Sequence, residues 1–389
     1  MRSALLVAGS VLALLAGCVA LDAPKKTVLP PDLRQGEGIL WTDLDSATRQ
    51  ARIARLLPAT VKDRSGWAID LQITYDAIGI PAAPTTFCAS IAVIEQESGF
   101  QVNPVIPGLP GIVRRELERR LGSYNIPLFL LDAALLKKSP NGSSYGERIA
   151  ALKTEQQVST LFDEMIAELP FGEALLADKN PVHTAGPMQV SVAFAEKYSA
   201  EKPYPYASNK RMRDELFTRR GGLYFGVAIL LDYPAPYDDV LYRFADFNAG
   251  RFSSRNAAFQ SALAKLTGEA IARDGDLLRY ASGKPSDAVS AVESALLGIS
   301  HRLDMRRSDI RRDLLLEKSA EFGSSPLYKK LFQLANANAN SNASTGSPLP
   351  HQAMPTIDLK SPKITRKLTT DWFAHRVKDR YRQCLARDG

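Results

Sequence analysis

The 389 residues carry a formal charge of +7 and are 45% apolar. That is enough chain for one large domain with appendages or for two domains, and enough apolar content for a sizeable core, which excludes a wholly disordered polypeptide. The basic balance favours anionic partners (nucleic acid, membrane head groups or an acidic polymer), and composition alone does not choose among them.

The N-terminus narrows the choice. Arg2 precedes the apolar run ALLVAGSVLALLAG, which ends at Cys18. A short charged region before an apolar stretch of this length predicts a secretory signal peptide over 1–17, too short to span a bilayer. The ending Leu15-Ala16-Gly17-Cys18 resembles a bacterial lipobox, in which the peptide is cut before the cysteine and the cysteine is lipidated. A plain signal peptide with a chance cysteine is the alternative. Val19, not Asp, follows, which in enterobacterial lipoproteins directs sorting to the outer membrane. Residues 18–40, with PKK and LPPDLRQGEG, read as a lipidated Cys18 and a flexible tether.

Helical periodicity dominates from Ile39. RQARIARLL, VRRELERRLGSY, VSTLFDEMIAEL, GLYFGVAILLDY and AVSAVESALLGI repeat apolar residues at steps of three and four. Pro and Gly cluster between such runs, as in PVIPGLPG and KKSPNGSSYGE. The expected fold is all-α with one short β-hairpin, as a helical domain over 41–335 with an insertion over about 104–182. Low-complexity residues 336–350 read as a linker or surface loop. A basic amphipathic helix is expected within 351–389, capped by Thr370 or Asp371. It either faces lipid head groups or an anionic glycan, or docks through Trp372, Phe373 and Cys384.

Besides Cys18 the chain has Cys88 and Cys384. In an oxidising compartment two readings stand: a Cys88–Cys384 disulfide, or a buried thiol at Cys88 and a free one at Cys384. Neither C-x-x-C nor H-E-x-x-H occurs, so no metal site and no cofactor are expected. His183, without metal-spaced partners, reads as structural.

Three separated pieces carry the chemistry. Ile91–Phe100, IAVIEQESGF, is an apolar helical run ending in Glu97-Ser98-Gly99. Gly186-Pro187-Met188-Gln189 follows, then Phe244-Ala245-Asp246-Phe247-Asn248-Ala249-Gly250. In this order they resemble the soluble-type lytic transglycosylases, relatives of goose-type lysozyme. That family shows Glu-Ser at the end of an apolar helix, then Gly-Leu-Met-Gln, then Ala-Tyr-Asn-Ala-Gly. The resemblance covers roughly Phe87 to Gly250, interrupted by Pro104–Val182, which reads as a lid or wall over a substrate groove or as a docking surface for a partner.

The physical reading of the first piece agrees. Glycosidic cleavage needs a general acid, and a glutamate at the end of a buried helix has its charged form disfavoured, which raises its pKa toward neutrality. Glu95 and Glu97 stand about 200° apart on a helix and cannot share a face. The motif selects Glu97 as the acid/base, and Glu95 becomes a solvated or ion-paired neighbour.

What the resemblance implies is cleavage of the MurNAc–GlcNAc β-1,4 bond of peptidoglycan without water, leaving 1,6-anhydromuramoyl ends. Ser98, Gln189, Asn248 and Tyr280 are the expected substrate contacts. Two departures stand out. Phe247 replaces a tyrosine, and Asp246 replaces a small apolar residue, read here as capping or pairing locally. The expected partners are peptidoglycan strands and, through the lipid anchor, the membrane; no nucleic acid is expected. The expected location is the outer membrane, facing the periplasm. A catalytically weak peptidoglycan-binding scaffold of the same fold, and a hydrolytic muramidase, are the alternatives.

Overall fold

The computed structural model describes residues 31–33, 40–281, 283–342, 348–359 and 368–388. The signal segment and Cys18 lie outside them. Among the described residues the fold is all-α: eighteen α-helices and two antiparallel hairpins of two residues per strand, where one hairpin was expected.

α1 (Ser46–Leu56) and α2 (Arg64–Ile78) each start on an aspartate. Asp45 accepts from the Thr48 N–H and Asp63 from that of Gly66, which satisfies a backbone donor the helix leaves open. α3 (Pro84–Glu97) starts on Pro84, where the missing N–H costs nothing. Every residue from Pro84 to Ile94 is buried, so α3 is a central helix rather than an amphipathic one. α4 (Leu109–Ser123), α5 (Leu128–Leu135), α6 (Tyr145–Ala150), α7 (Glu155–Ala167) and α8 (Gly172–Leu176) make up the insertion. It has a small core of its own around Leu109, Leu131, Leu135, Ile149 and Leu161.

The chain then returns to the first core through β1 (Thr184–Ala185), β2 (Val190–Ser191), α9 (Val192–Glu201), α10 (Met212–Leu216), α11 (Arg219–Leu231) and α12 (Val240–Ala249). A second core, around Phe259, Leu296, Leu314, Phe322 and Leu331, is built by the next stretch. That stretch runs through α13 (Ser253–Thr267), β3 (Tyr280–Ala281), β4 (Lys284–Pro285), α14 (Ala291–Gly298), α15 (Ser300–Leu303), α16 (Arg307–Leu314) and α17 (Pro326–Asn342).

α17 corrects the linker expected from residue 336, since the helix continues through the Ala-Asn repeat to Asn342. Alanine has the highest helix propensity and offsets asparagine. Ala335 is buried in the second core, and the Asn336 side chain accepts from the Leu349 N–H, 2.8 Å away.

α18 (Thr370–Leu385) closes the first core. It buries Phe373, Ala374, Val377, Tyr381 and Cys384 and packs on α3 and α12, so it is a docked helix. Its cap is Thr369, one residue before the expected pair, because the Thr369 hydroxyl reaches the Trp372 N–H and Thr370 is already helical. Cys384 is disulfide-bonded to Cys88 of α3, with Cα atoms 5.5 Å apart across 296 residues of sequence.

The tether expected over 18–40 is also corrected in part. Pro31–Leu33 docks as a single 3₁₀ turn, with Leu33 in the core. Asp32 accepts twice from the Arg243 guanidinium of α12, at 2.6 and 3.1 Å, and both side chains are fully buried.

Candidate active site

Glu97 is the last residue of α3. Behind it the helix is dry; at Glu95, Gln96 and Glu97 the side chains become partly exposed. Ser98 ends the helix, its hydroxyl donating to the Ile94 carbonyl at 3.1 Å, so this hydroxyl is spent on the cap. Gly99 and Phe100 both take positive φ, at 56° and 64°, and turn the chain away from the helix axis. Such backbone suits glycine, and at Phe100 it is held by packing: the ring meets Trp67 edge-on at 5.2 Å. Glu97 therefore stands at the rim of the core, and the chain turns sharply two residues later, at Gly99. Glu95, on the other side of α3, faces α18, its carboxylate 3.8 Å from Arg380.

The second motif is the turn of the first hairpin. Thr184 pairs with Ser191 and Ala185 with Val190, which leaves Gly186-Pro187-Met188-Gln189 to reverse the chain. The turn lies directly on the backbone of α11. A Cβ added at Gly226 would stand 2.3 Å from the Met188 sulfur, and one at Gly222 equally close to Pro187 Cδ. The two glycines, four apart on one face of α11, are what lets the turn approach. Gln189 sits at φ 50°, and its amide is bonded at both ends. Its Oε1 accepts from Thr184 Oγ1 at 3.1 Å. Its Nε2 donates to the Gly186 carbonyl and to Glu155 Oε2, each at 3.3 Å.

Glu155 opens α7, and sequence reasoning missed it. The neighbouring Thr154 Oγ1 and Gln156 Oε1 accept from the Asn103 amide, at 3.2 and 2.8 Å, just after the first motif. The insertion is thereby stitched to both motifs. Nothing in the spacing of Glu155 could have announced this, since its partner is 34 residues away on another element.

The third motif lies on α12. Asn248 Oδ1 accepts from the Thr370 hydroxyl at 2.8 Å, and Phe247 lies parallel to Phe373 with centroids 6.5 Å apart. α18 therefore covers this motif. The Cys88–Cys384 and Glu95–Arg380 contacts together make α3 and α18 antiparallel. The Glu97 end of α3 is thus directed toward the N-terminal part of α18, where Thr370 holds Asn248. The sequence signal for this cover was Cys384.

Asp246 points away from solvent, 1% exposed. It accepts from the hydroxyls of Tyr233 and Tyr237 and from the backbone N–H groups of Phe252 and Ser254, at 2.7 Å each for the last two, which caps the start of α13. Burial pushes its carboxyl up to about 6, against the opposing pull of the Tyr237 and Ser254 hydrogen bonds.

Tyr280 belongs to the second core, in the β3–β4 hairpin, where its hydroxyl donates to the buried Glu317. It stands apart from the core that carries Glu97, Gln189 and Asn248, and we leave it out of the candidate site. Among the described residues no cluster of three or more His, Cys, Asp or Glu side chains could hold a metal ion, and His183 is exposed.

Comparison with known proteins gives this arrangement a family. The sequence pattern described as "Protein of unknown function (DUF1615)" matches residues 60–387. The chain belongs to the DUF1615 family. The matched span runs from just before α2 to the end of α18, so the insertion and the last helix both lie inside it. The chain is also similar to "Uncharacterized protein YaiW" of Escherichia coli (strain K12), 45% identical over 371 residues, which cover 95% of each chain. No solved structure matches.

Proposed function

We propose that this protein is a peptidoglycan lytic transglycosylase, anchored through Cys18 to the outer membrane and facing the periplasm. Glu97 protonates the departing glycosidic oxygen and then, as the base, takes the proton of the sugar's own 6-hydroxyl, which closes the 1,6-anhydro ring. Gln189 and Asn248 offer amide groups suited to sugar hydroxyls and N-acetyl groups. The observation that carries the reading is the setting of Glu97. It ends a helix buried from Pro84 to Ile94, and the Gly186–Gln189 turn and α12 pack on that same core. A carboxyl group so placed has an apolar core behind it and is itself partly exposed, a setting that suits a general acid. Incubation of isolated sacculi with the unlipidated protein, followed by mass spectrometry, is expected to release anhydro-ended muropeptides. Glu97→Gln is expected to lower that release about 10²–10⁴-fold without loss of folding. Reducing-end products would instead indicate hydrolysis.

A second reading, a peptidoglycan-binding scaffold with little activity, is favoured by one observation. The Asn248 oxygen is held by Thr370 and Phe247 lies under Phe373, so α18 occupies the surface that substrate would use. Sacculus binding without product would support it. A muramidase using Asp246 is disfavoured by the burial of that carboxylate and its four donors.

A further inference from the structure

Between α13, α17 and the α11–α12 loop lies a cavity of about 620 Å³. Phe252, just before α13, and Tyr328 and Phe332 of α17 are buried and form its floor. Pro234 and Pro236 of the α11–α12 loop stand exposed at its mouth. Apolar walls of this volume around a few polar groups are the make-up of a small-molecule site. The far wall is fixed: the His351 ring lies on Phe332 with centroids 4.1 Å apart, and its Nδ1 shares a hydrogen bond with the Tyr328 hydroxyl at 2.9 Å. Glu97, Gln189 and Asn248 take no part in the lining.

The charge of the lining is one-sided. It contains Arg255 and Lys329 and, among the described residues, no carboxylate. Arg255 is only 1% exposed, yet every group that accepts from its guanidinium is neutral. These are the Asn256 side-chain oxygen, at 3.1 and 3.0 Å, the Ser319 carbonyl at 2.7 Å and the Glu317 carbonyl. The buried acids near it are engaged elsewhere. Asp246 is held by its two tyrosines and two backbone N–H groups, and the Glu317 carboxylate by the Tyr280 hydroxyl and the Leu277 N–H. Glu321 is exposed and acts on Arg255 without pairing with it. Nη1 of Arg255 has two N–H groups and a single acceptor among the described residues, Ser319. The space before it is open: a Cβ added at Gly323 would meet only Arg255, with Cδ at 3.8 Å and Nη1 at 4.0 Å. A buried charge held by neutral groups alone is costly, and an anion brought to it offsets that cost.

We propose that this cavity binds a small organic carboxylate with a flat apolar body. The body lies against Phe252, Tyr328 and Phe332, and the carboxylate accepts from the open Nη1–H of Arg255. Lys329, exposed at the rim and without an ion pair among the described residues, adds a second positive charge. Two observations select a small molecule over a macromolecular surface. The cation is recessed, which puts it out of reach of anions held on a flat surface, and the cavity is bounded by both floor and rim. The site is independent of the glycan chemistry proposed above.

The test is isothermal titration calorimetry of the unlipidated protein with 2-naphthoate, a flat carboxylate, and with 2-naphthamide, its uncharged counterpart. The carboxylate is expected to bind one per chain with Kd below about 1 mM, and the amide about tenfold more weakly. Gly323→Leu puts a side chain before Nη1 and is expected to abolish binding. Lys329→Ala is expected to weaken the carboxylate about threefold, leave the amide unchanged and leave melting unchanged. Lys330→Ala, at the neighbouring lysine held by Asp304, is expected to bind as the parent does. The proposal is overturned if 2-naphthoate does not bind, or if the amide binds as tightly. It is also overturned if Lys329→Ala weakens both ligands equally, or if Gly323→Leu melts as the parent does and still binds the carboxylate.

Discussion

Around α3, α12 and α18, the fully buried carboxylates are each held by more than one hydrogen bond. Asp32 is closed on Arg243, and Asp246 on two tyrosines and two backbone N–H groups. In the insertion the ion pairs stay at the surface, Glu116 with Arg119 and Arg120 for example, and the large apolar side chains stand in solvent above a small core. The first region spends its polar groups on fixing backbone: a docked N-terminal turn, a capped α13, a covered third motif. The second also caps its helices, with Ser144 on α6 and Thr154 on α7, but leaves ten large apolar side chains in water.

The contrast can be broken or sharpened experimentally. All three tryptophans, Trp41, Trp67 and Trp372, belong to the first core or pack on it, so their fluorescence follows that region alone. Asp32→Ala leaves the Arg243 guanidinium buried without its partner. It is expected to cost about 3–5 kcal/mol in urea unfolding read by tryptophan fluorescence. An effect below that of a surface pair would erase the distinction between the regions. Replacing Cys88 and Cys384 by serine opens a very long closed loop and is expected to cost about 2–5 kcal/mol by the same measurement.

The Asp246 carboxyl supplies a pH dependence. Its pKa is raised by folding to about 6, so the folded state takes up the proton first as pH falls. Its contribution is fully present near pH ~4 and lost as pH rises through ~6, a change of about 2–3 kcal/mol. Asp246→Asn should flatten the stability profile over that interval, and a parent profile without that slope would contradict the assignment. In the insertion, Glu116→Gln is expected to cost only about 0.5–1 kcal/mol, with the fluorescence transition unmoved.

Much of the helical fold was legible because three- and four-residue periodicity is a local signal, and α1, α4, α7, α11 and α14 follow it. α3 was legible only at its end, as the apolar run from Ile91 that stops at Glu97-Ser98-Gly99; its start at Pro84 came from the structure. Its separation of Glu95 from Glu97 follows from helix geometry alone, and the structure turns Glu95 to Arg380. What periodicity could not show was pairing across distance. The Thr370–Asn248 bond spans 122 residues and the Gln189–Glu155 bond spans 34. Neither residue pair has a spacing that distinguishes it from chance. Tyr280, a substrate contact implied by the resemblance alone, is carried by the β3–β4 hairpin to Glu317 beside the second core, a placement its local sequence does not announce. The Ala-Asn run misled because low complexity was read as disorder, although alternate alanines favour helix.

The bond between Cys88 and Cys384 also sets a timetable. α3 leaves the ribosome 296 residues before the cysteine that will fasten α18 against it. At ordinary synthesis rates that is an interval of about 15–60 s. For that time one flank of a helix that is buried from Pro84 to Ile94 in the finished fold waits uncovered. A chain that stopped short of α18 would never gain this cover, and would present the same flank, and a bare Cys88, to whatever inspects newborn polypeptides.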